Sequence, residues 1–174
     1  MSAQRTYLDW NATAPLRPEA HAACVAALDV IGNPSSPHAE GRRARSIIED
    51  AREQVAALVG AKPAEVVFTS GGTEANNAVL SAGWDTIFLA GIEHDSVLMP
   101  ARASKARIIE VDVARNGLAC AGLTNAAGRT LFSLQLANNE TGVLQAVRAT
   151  AAVAKAHGVF VHTEKPPPRG TQVD

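Results

Sequence analysis

Phe68-Thr69-Ser70-Gly71-Gly72-Thr73-Glu74-Ala75-Asn76-Asn77 is the stretch on which the reading of the fold turns. Ahead of its centre, Glu65-Val66-Val67-Phe68-Thr69 is short, apolar and β-branched, the composition of a buried strand. Behind it, residues 74–82 are rich in Ala, Leu and Glu and predict a helix. A tight turn from strand to helix aims free backbone N–H groups and the positive end of the helix dipole at one spot. Glycines let a ligand come close to the backbone, and Ser70 and Thr73 add hydroxyls, so the turn suits a phosphate. It equally suits an ordinary helix cap, with Ser70 or Thr73 as the capping residue and Glu74 in the first turn. Neither the P-loop pattern nor the G-x-G-x-x-G fingerprint is present.

Working outward, the chain alternates predicted strands and helices. Strands are expected at residues 65–69, 86–90, 107–113, 130–136 and 159–162, with a short strand or extended arm at 6–10. Helices are expected at 18–30, 39–59, 74–82, from 96 to about 103, and 147–157. The clearest is 39–59, whose apolar positions Ala44, Ile47, Ile48, Ala51, Val55, Leu58 and Val59 fall on one face, with Gly60 as its stop. Residues 117–126 predict an irregular segment or a short helix. Continuous apolar strands alternating with helices argue an α/β layer with a mostly parallel sheet and flanking helices. Ligands of such sheets bind outside the carboxyl ends of the strands. Three polar clusters fall there: Ser70 to Thr73, Glu93-His94 and Asn138-Asn139-Glu140.

Composition narrows the rest. A chain of 174 residues is enough for one ordinary domain, and with only 4% aromatic residues Ala and Val are expected to fill most of the core. Sixteen basic residues against 17 acidic ones leave no basic stripe for nucleic acid or an anionic membrane. No apolar run is long enough to span a bilayer, and two cysteines, Cys24 and Cys120, do not make a disulfide framework, so a cytoplasmic setting is expected. His21, His38, His157 and His162 show no metal-ligand spacing, and no metal site is expected. His94 taken alone reads as a histidine satisfied at a helix N-terminus.

Five pieces of the chain carry a resemblance: residues 7–13 (YLDWNAT), Gly32-Asn33-Pro34-Ser35-Ser36 with His38, residues 68–77, Glu93-His94, and residues 137–142 (ANNETG). Their order and spacing resemble the class V, fold-type I pyridoxal-phosphate enzymes, and among these the cysteine desulfurases, over about residues 6–163. The resemblance implies a pyridoxal 5'-phosphate cofactor, with Gly72 and Thr73 holding its phosphate. His94 would stack on the ring and act as acid and base, and Asn139 would hydrogen-bond on the ring-substituent or substrate-carboxylate side. Asn11, Thr13 and the loop from Asn33 to His38 would line the substrate mouth, near a homodimer interface. The implied reaction takes sulfur from L-cysteine, leaving L-alanine and an enzyme persulfide for a sulfur-acceptor protein. Selenocysteine lyase, an aminotransferase, or a non-catalytic binding or dimerisation module are the alternatives.

The match has gaps. Where the family has an Asp paired with the ring nitrogen, this chain has Glu164, one methylene longer, and Pro167 stands where a Gln is expected. None of Lys62, Lys105, Lys155 and Lys165 matches the Schiff-base lysine, and neither Cys24 nor Cys120 matches the nucleophile. Residues 1–163 thus resemble the N-terminal portion of the cofactor-binding large domain, incomplete at its C-terminus. Residues 164–174 read as an unrelated Pro-rich tail, and the small domain is absent from the match.

Overall fold

The computed structural model describes residues 6–10, 12–120, 122–123 and 126–164. The chain forms two compact units, Met1–Phe68 and Thr69–Asp174. The Pro-rich segment from residue 165 and the predicted site residue Asn11 lie outside the described residues.

In the first unit, α1 (Pro18–Leu28) starts with Pro at N1, where a missing N–H is harmless. Helix α2 (Ala39–Val59) has the predicted bounds because both ends are chemically marked. His38 caps the start, its Nδ1 accepting from Gly41 N–H at 3.3 Å, and Gly60 ends it in the left-handed conformation (φ 70°). Gly41 also lets the loop before the helix lie on its first turn. A methyl there would come 2.4 Å from Ser36 O and 2.7 Å from Asn33 O. The apolar stripe of α2 has the predicted period, yet only Gly41 and Ala56 are buried, and Leu58 is 81% exposed. Periodicity reports a face that can be buried; it does not supply the layer that buries it.

One expected strand of this unit is corrected, and the stretch read as a short strand or an extended arm is not a strand. Residues 6–10 form none; the Tyr7 hydroxyl instead donates to Asp9 O (2.6 Å) and Thr13 O (3.1 Å), folding the segment locally. Residues 65–69 are not a buried strand either. Pro63–Glu65 is a single 3-10 turn, Val67 is 79% exposed, and Val66 O accepts from the Arg52 guanidinium rather than from a ladder neighbour. β-branched residues favour extended backbone, but a strand also needs a partner.

The second unit is an α/β layer. After α3 (Gly72–Leu80) come β1 (Thr86–Ala90), α4 (Asp95–Ala103), β2 (Arg107–Val111), β3 (Thr130–Ser133), α5 (Val147–Ala156) and β4 (Phe160–His162). All pairings are parallel, in the order β2-β1-β3-β4, so the sheet has four strands rather than five among the described residues. Side chains alternate across it. Ile87, Leu89 and Leu131 face Leu80 of α3 and Val97, Leu98 and Ala101 of α4. Phe88, Ala90, Phe132 and Leu134 pack on the other side with Val111, Val159 and Ala154 of α5. The Phe88 and Phe132 rings stack at 5.9 Å, and Ala and Val make up seven of the 15 buried apolar residues among those described, nearly half rather than most of the core.

β2 and β3 are shorter than predicted. Beyond β2 the chain turns back, with Ala114 N–H donating to Leu118 O at 2.9 Å and Gly117 at φ 81°. The described residues of the 117–126 segment are irregular, not helical. Beyond β3, Gln135 N–H leaves the ladder to donate to the Glu93 carboxylate (2.7 Å). On its other side the pairing runs on: Leu134 N–H donates to His162 O and Leu136 N–H to Glu164 O. That extension carries Glu164 past the carboxyl edge of the sheet.

Candidate functional site

The carboxyl edge of the second unit gathers the polar residues that the sequence placed at strand ends. Its first component is the start of α3. Gly71 is the N-cap and offers no side chain, and neither Ser70 nor Thr73 caps the helix. The N–H groups of Gly72, Thr73 and Glu74 therefore have neither an intrahelical acceptor nor a side-chain cap among the described residues. An ordinary capped terminus is thus ruled out. Glu74 turns away from these donors to accept from Ser70 N–H at 2.6 Å, and hydrogen bonding by Ser70 holds its carboxyl below the usual range.

The second component follows β1. Glu93 is buried and braces the loop to β3, its Oε1 taking the Gln135 N–H, while Gln135 Nε2 donates to Ile92 O at 2.8 Å. Its other oxygen has no partner among the described residues. Burial, opposed by the Gln135 bond and aided by the nearby Glu164 charge, raises the Glu93 carboxyl to about 7. His94 next to it is exposed and caps α4, its Nδ1 accepting from Ser96 N–H at 3.1 Å and from the Ser96 hydroxyl at 2.7 Å. It is thus satisfied at a helix start on one ring edge only, which leaves Nε2 available. Thr73 and His94 line one open groove together with Asn77, Asp95, Ser96 and Met99.

The third component comes from the ends of β3 and β4. Asn138 is buried and organises its turn: Oδ1 accepts from Glu140 N–H, Thr141 N–H and the Thr141 hydroxyl, and Nδ2 donates to Ile92 O at 3.0 Å. Its neighbour Asn139 is exposed, with Nδ2 donating to Glu140 Oε1 at 3.0 Å. Glu164 lies against the start of α3; a methyl on Gly72 would sit 3.5 Å from its Oε1. His162, two residues earlier and on the same face, reaches Asn76 of α3 through Nε2 (3.2 Å) and Ser133 through Nδ1 (2.9 Å). Burial lowers the His162 pKa, and Glu164 partly offsets that.

Of the residues the sequence singled out, Gly72, Thr73, His94 and Asn139 all fall in this unit at or beside the carboxyl edge. Thr13 and Asn33 are exposed in the first unit, where Asn33 Oδ1 accepts from Ser35 N–H at 2.9 Å. Asn76, Ser96, Ser133 and His162 received no role from sequence. Their signal is weak: a polar residue at a buried helix position, and two polar residues in register on neighbouring apolar strands. Lys105 and Lys155 precede β2 and β4, at the opposite, amino edge. Among the described residues no cluster of His, Cys, Asp and Glu suits a metal ion, and no helix is long and apolar enough to cross a membrane.

The site fits a phosphorylated aromatic cofactor on its own geometry. Helix-start donors that no side chain caps among the described residues suit an anionic group, and His94 shares a groove with Thr73 beside them. Comparison with known proteins agrees. A cysteine desulfurase IscS from Dictyoglomus turgidum is 37% identical, over 92% of this chain and 44% of that protein. A selenocysteine lyase from Bos taurus is 35% identical over 97% of this chain and 48% of its own length. The X-ray structure of a NifS-like protein from Rickettsia africae superposes with a TM-score of 0.82 at 32% identity, covering 90% of this chain and 46% of that one. The chain thus spans less than half the length of these relatives. The fold is that of the fold-type I pyridoxal-phosphate enzymes. The aminotransferase class-V family model matches residues 6–165, and the chain belongs to that family.

Proposed function

We propose that this chain forms the phosphate-holding part of a pyridoxal-phosphate enzyme that takes sulfur from L-cysteine, leaving L-alanine and an enzyme persulfide. The observation that carries the reading is the uncapped start of α3, opening beside Glu164. Gly72 and Thr73 hold the phosphate through backbone N–H groups and the Thr73 hydroxyl. His94 would face the ring and present its Nε2–H there, since Nδ1 accepts from Ser96. Asn139 serves the ring substituent, and Glu164 takes the place of the acid beside the ring nitrogen. When bound, the cofactor supplies an electron sink for the carbon next to the substrate amine. Roles for Asn11, Thr13 and Asn33 on the substrate side rest on the family resemblance alone.

Removal of selenium from selenocysteine is the second reading, favoured by the match to a selenocysteine lyase over 97% of this chain. In either case the 174 residues by themselves should not release alanine, because none of Lys62, Lys105, Lys155 and Lys165 matches the family's Schiff-base lysine, and Lys105 and Lys155 sit at the far edge of the sheet. A homodimer and a sulfur-accepting protein partner belong to the same proposal.

Equilibrium dialysis of pyridoxal phosphate against the chain tests the site. Thr73→Val should weaken binding by roughly ten-fold, the worth of a hydrogen bond to a charged group. Pyridoxal lacking the phosphate should bind far more weakly than pyridoxal phosphate. Equal retention of both molecules, or no effect of Thr73→Val, would remove the α3 start from the cofactor site.

A further inference from the structure

Four side chains that the family reading does not use form one continuous hydrogen-bonded series behind His94. Ser133 Oγ lies 2.9 Å from His162 Nδ1, and His162 Nε2 lies 3.2 Å from Asn76 Oδ1. Asn76 Nδ2 lies 2.9 Å from Ser96 Oγ, which lies 2.7 Å from His94 Nδ1. Asn76, Ser96 and Ser133 are buried, and His162 is half-buried.

The direction of every bond follows from one fixed point. Ser96 N–H can only donate, so His94 Nδ1 is an acceptor. The Ser96 hydroxyl, facing the same nitrogen, must give its proton to it and accept from Asn76. The amide of Asn76 must then present its NH2 to Ser96 and its oxygen to His162. His162 must donate from Nε2, which leaves its Nδ1 to accept the Ser133 hydroxyl proton when the ring is neutral. Burial favours that neutral ring, against the opposing charge of Glu164.

We propose that Asn76 and His162 are positioning residues for His94: the series from Ser133 through His162, Asn76 and Ser96 locks the His94 proton onto Nε2. This rests on the reading above that His94 serves the cofactor ring; the series itself does not. A histidine so held presents the same nitrogen, in the same protonation pattern, to whatever occupies the groove. Asn76 and His162 reach His94 through Ser96. The middle members of the relay, Asn76 and His162, lie on α3 and β4, so the tautomer at His94 reports whether those elements are docked.

Long-range 15N–1H correlation NMR of the chain, at a pH where both rings are neutral, reads the tautomers directly. For both His94 and His162 the Nε2-protonated form should be the one observed. Ser96→Ala removes the hydroxyl but keeps the N–H, and should shift the His94 tautomer ratio toward Nδ1–H by about five- to ten-fold, one hydrogen bond's worth. Asn76→Asp should do the same, because the introduced carboxylate draws the Ser96 hydroxyl away from His94. Ser96→Thr restores a hydroxyl and should restore the original ratio, which a merely structural role for residue 96 does not require. If Asn76→Asp does not fold, the Ser96 pair decides. Mixed tautomers in the unaltered chain, or a His94 ratio unchanged within two-fold by Ser96→Ala, overturns the proposal. Adding pyridoxal phosphate separates the two readings. If the His94 signals hold the predicted tautomer but do not respond, the cofactor assignment fails and the relay stands.

Discussion

Replacing Glu93 by Gln removes one ionisation from the core and leaves the shape of its bracket intact. In the native chain Oε1 accepts the Gln135 N–H at 2.7 Å, and a Gln side-chain oxygen can accept the same bond. The carboxyl is raised from 4.5 to about 7, first by burial and further by the Glu164 charge, with the Gln135 bond pulling the other way. A group protonated more readily when folded contributes stability that is fully present below its unfolded pKa. It is lost as pH rises toward the folded one. The window therefore runs from about pH 4.5 to 7, and at about 1.4 kcal/mol per pH unit the loss across it is about 3 kcal/mol. Urea unfolding of the wild type and Glu93→Gln at pH 5, 6, 7 and 8 reads this group together with its coupling to Glu164, since titrations not coupled to Glu93 cancel in the difference. The variant should gain on the wild type progressively to pH 7 and then run parallel to it. A difference that stays constant within about 0.5 kcal/mol across the series, well inside the linkage expected, would mean that Glu93 is solvated or paired in solution.

Two further outcomes follow from neighbouring geometry. Glu164→Gln removes the charge that raises both Glu93 and His162, so both should titrate lower, read by NMR; an unchanged His162 would place Glu164 away from it. Gly41→Ala drives a methyl to 2.4 Å from Ser36 O, so hydrogen exchange over residues 33–41 should speed up despite better helix propensity; a net gain of about 1 kcal/mol, the propensity term alone, would deny the close approach.

Much of the second unit was legible because its strands are apolar on both faces and bounded by turn chemistry. β1 carries its own end signals, and Gly158 at φ 69° marks the stop after α5. Residues 65–69 misled because their β-branched run reports backbone preference, while pairing is a property of distant residues. The α2 stripe misled in a related way: the period was right, and the burial was not there to find. At the site, Thr73 and His94 sit in recognisable local contexts, a glycine turn and a helix start. The relay does not. His162 meets a partner 86 residues away and Asn76 meets Ser96 across 20, and no local pattern encodes either distance.

The short strand β4 and the two residues after it carry two chemical groups on alternate positions, His162 toward Asn76 and Glu164 toward Gly72. Side chains on a strand have a period of two, so a slip of one residue sends both to the opposite face together. Thr163 would take the inner position, and the relay and the carboxylate would vanish in the same event. This three-residue strand therefore works as an all-or-none latch. A one-residue insertion or deletion between Gly158 and His162 should produce chains that retain the sheet yet lose both placements at once.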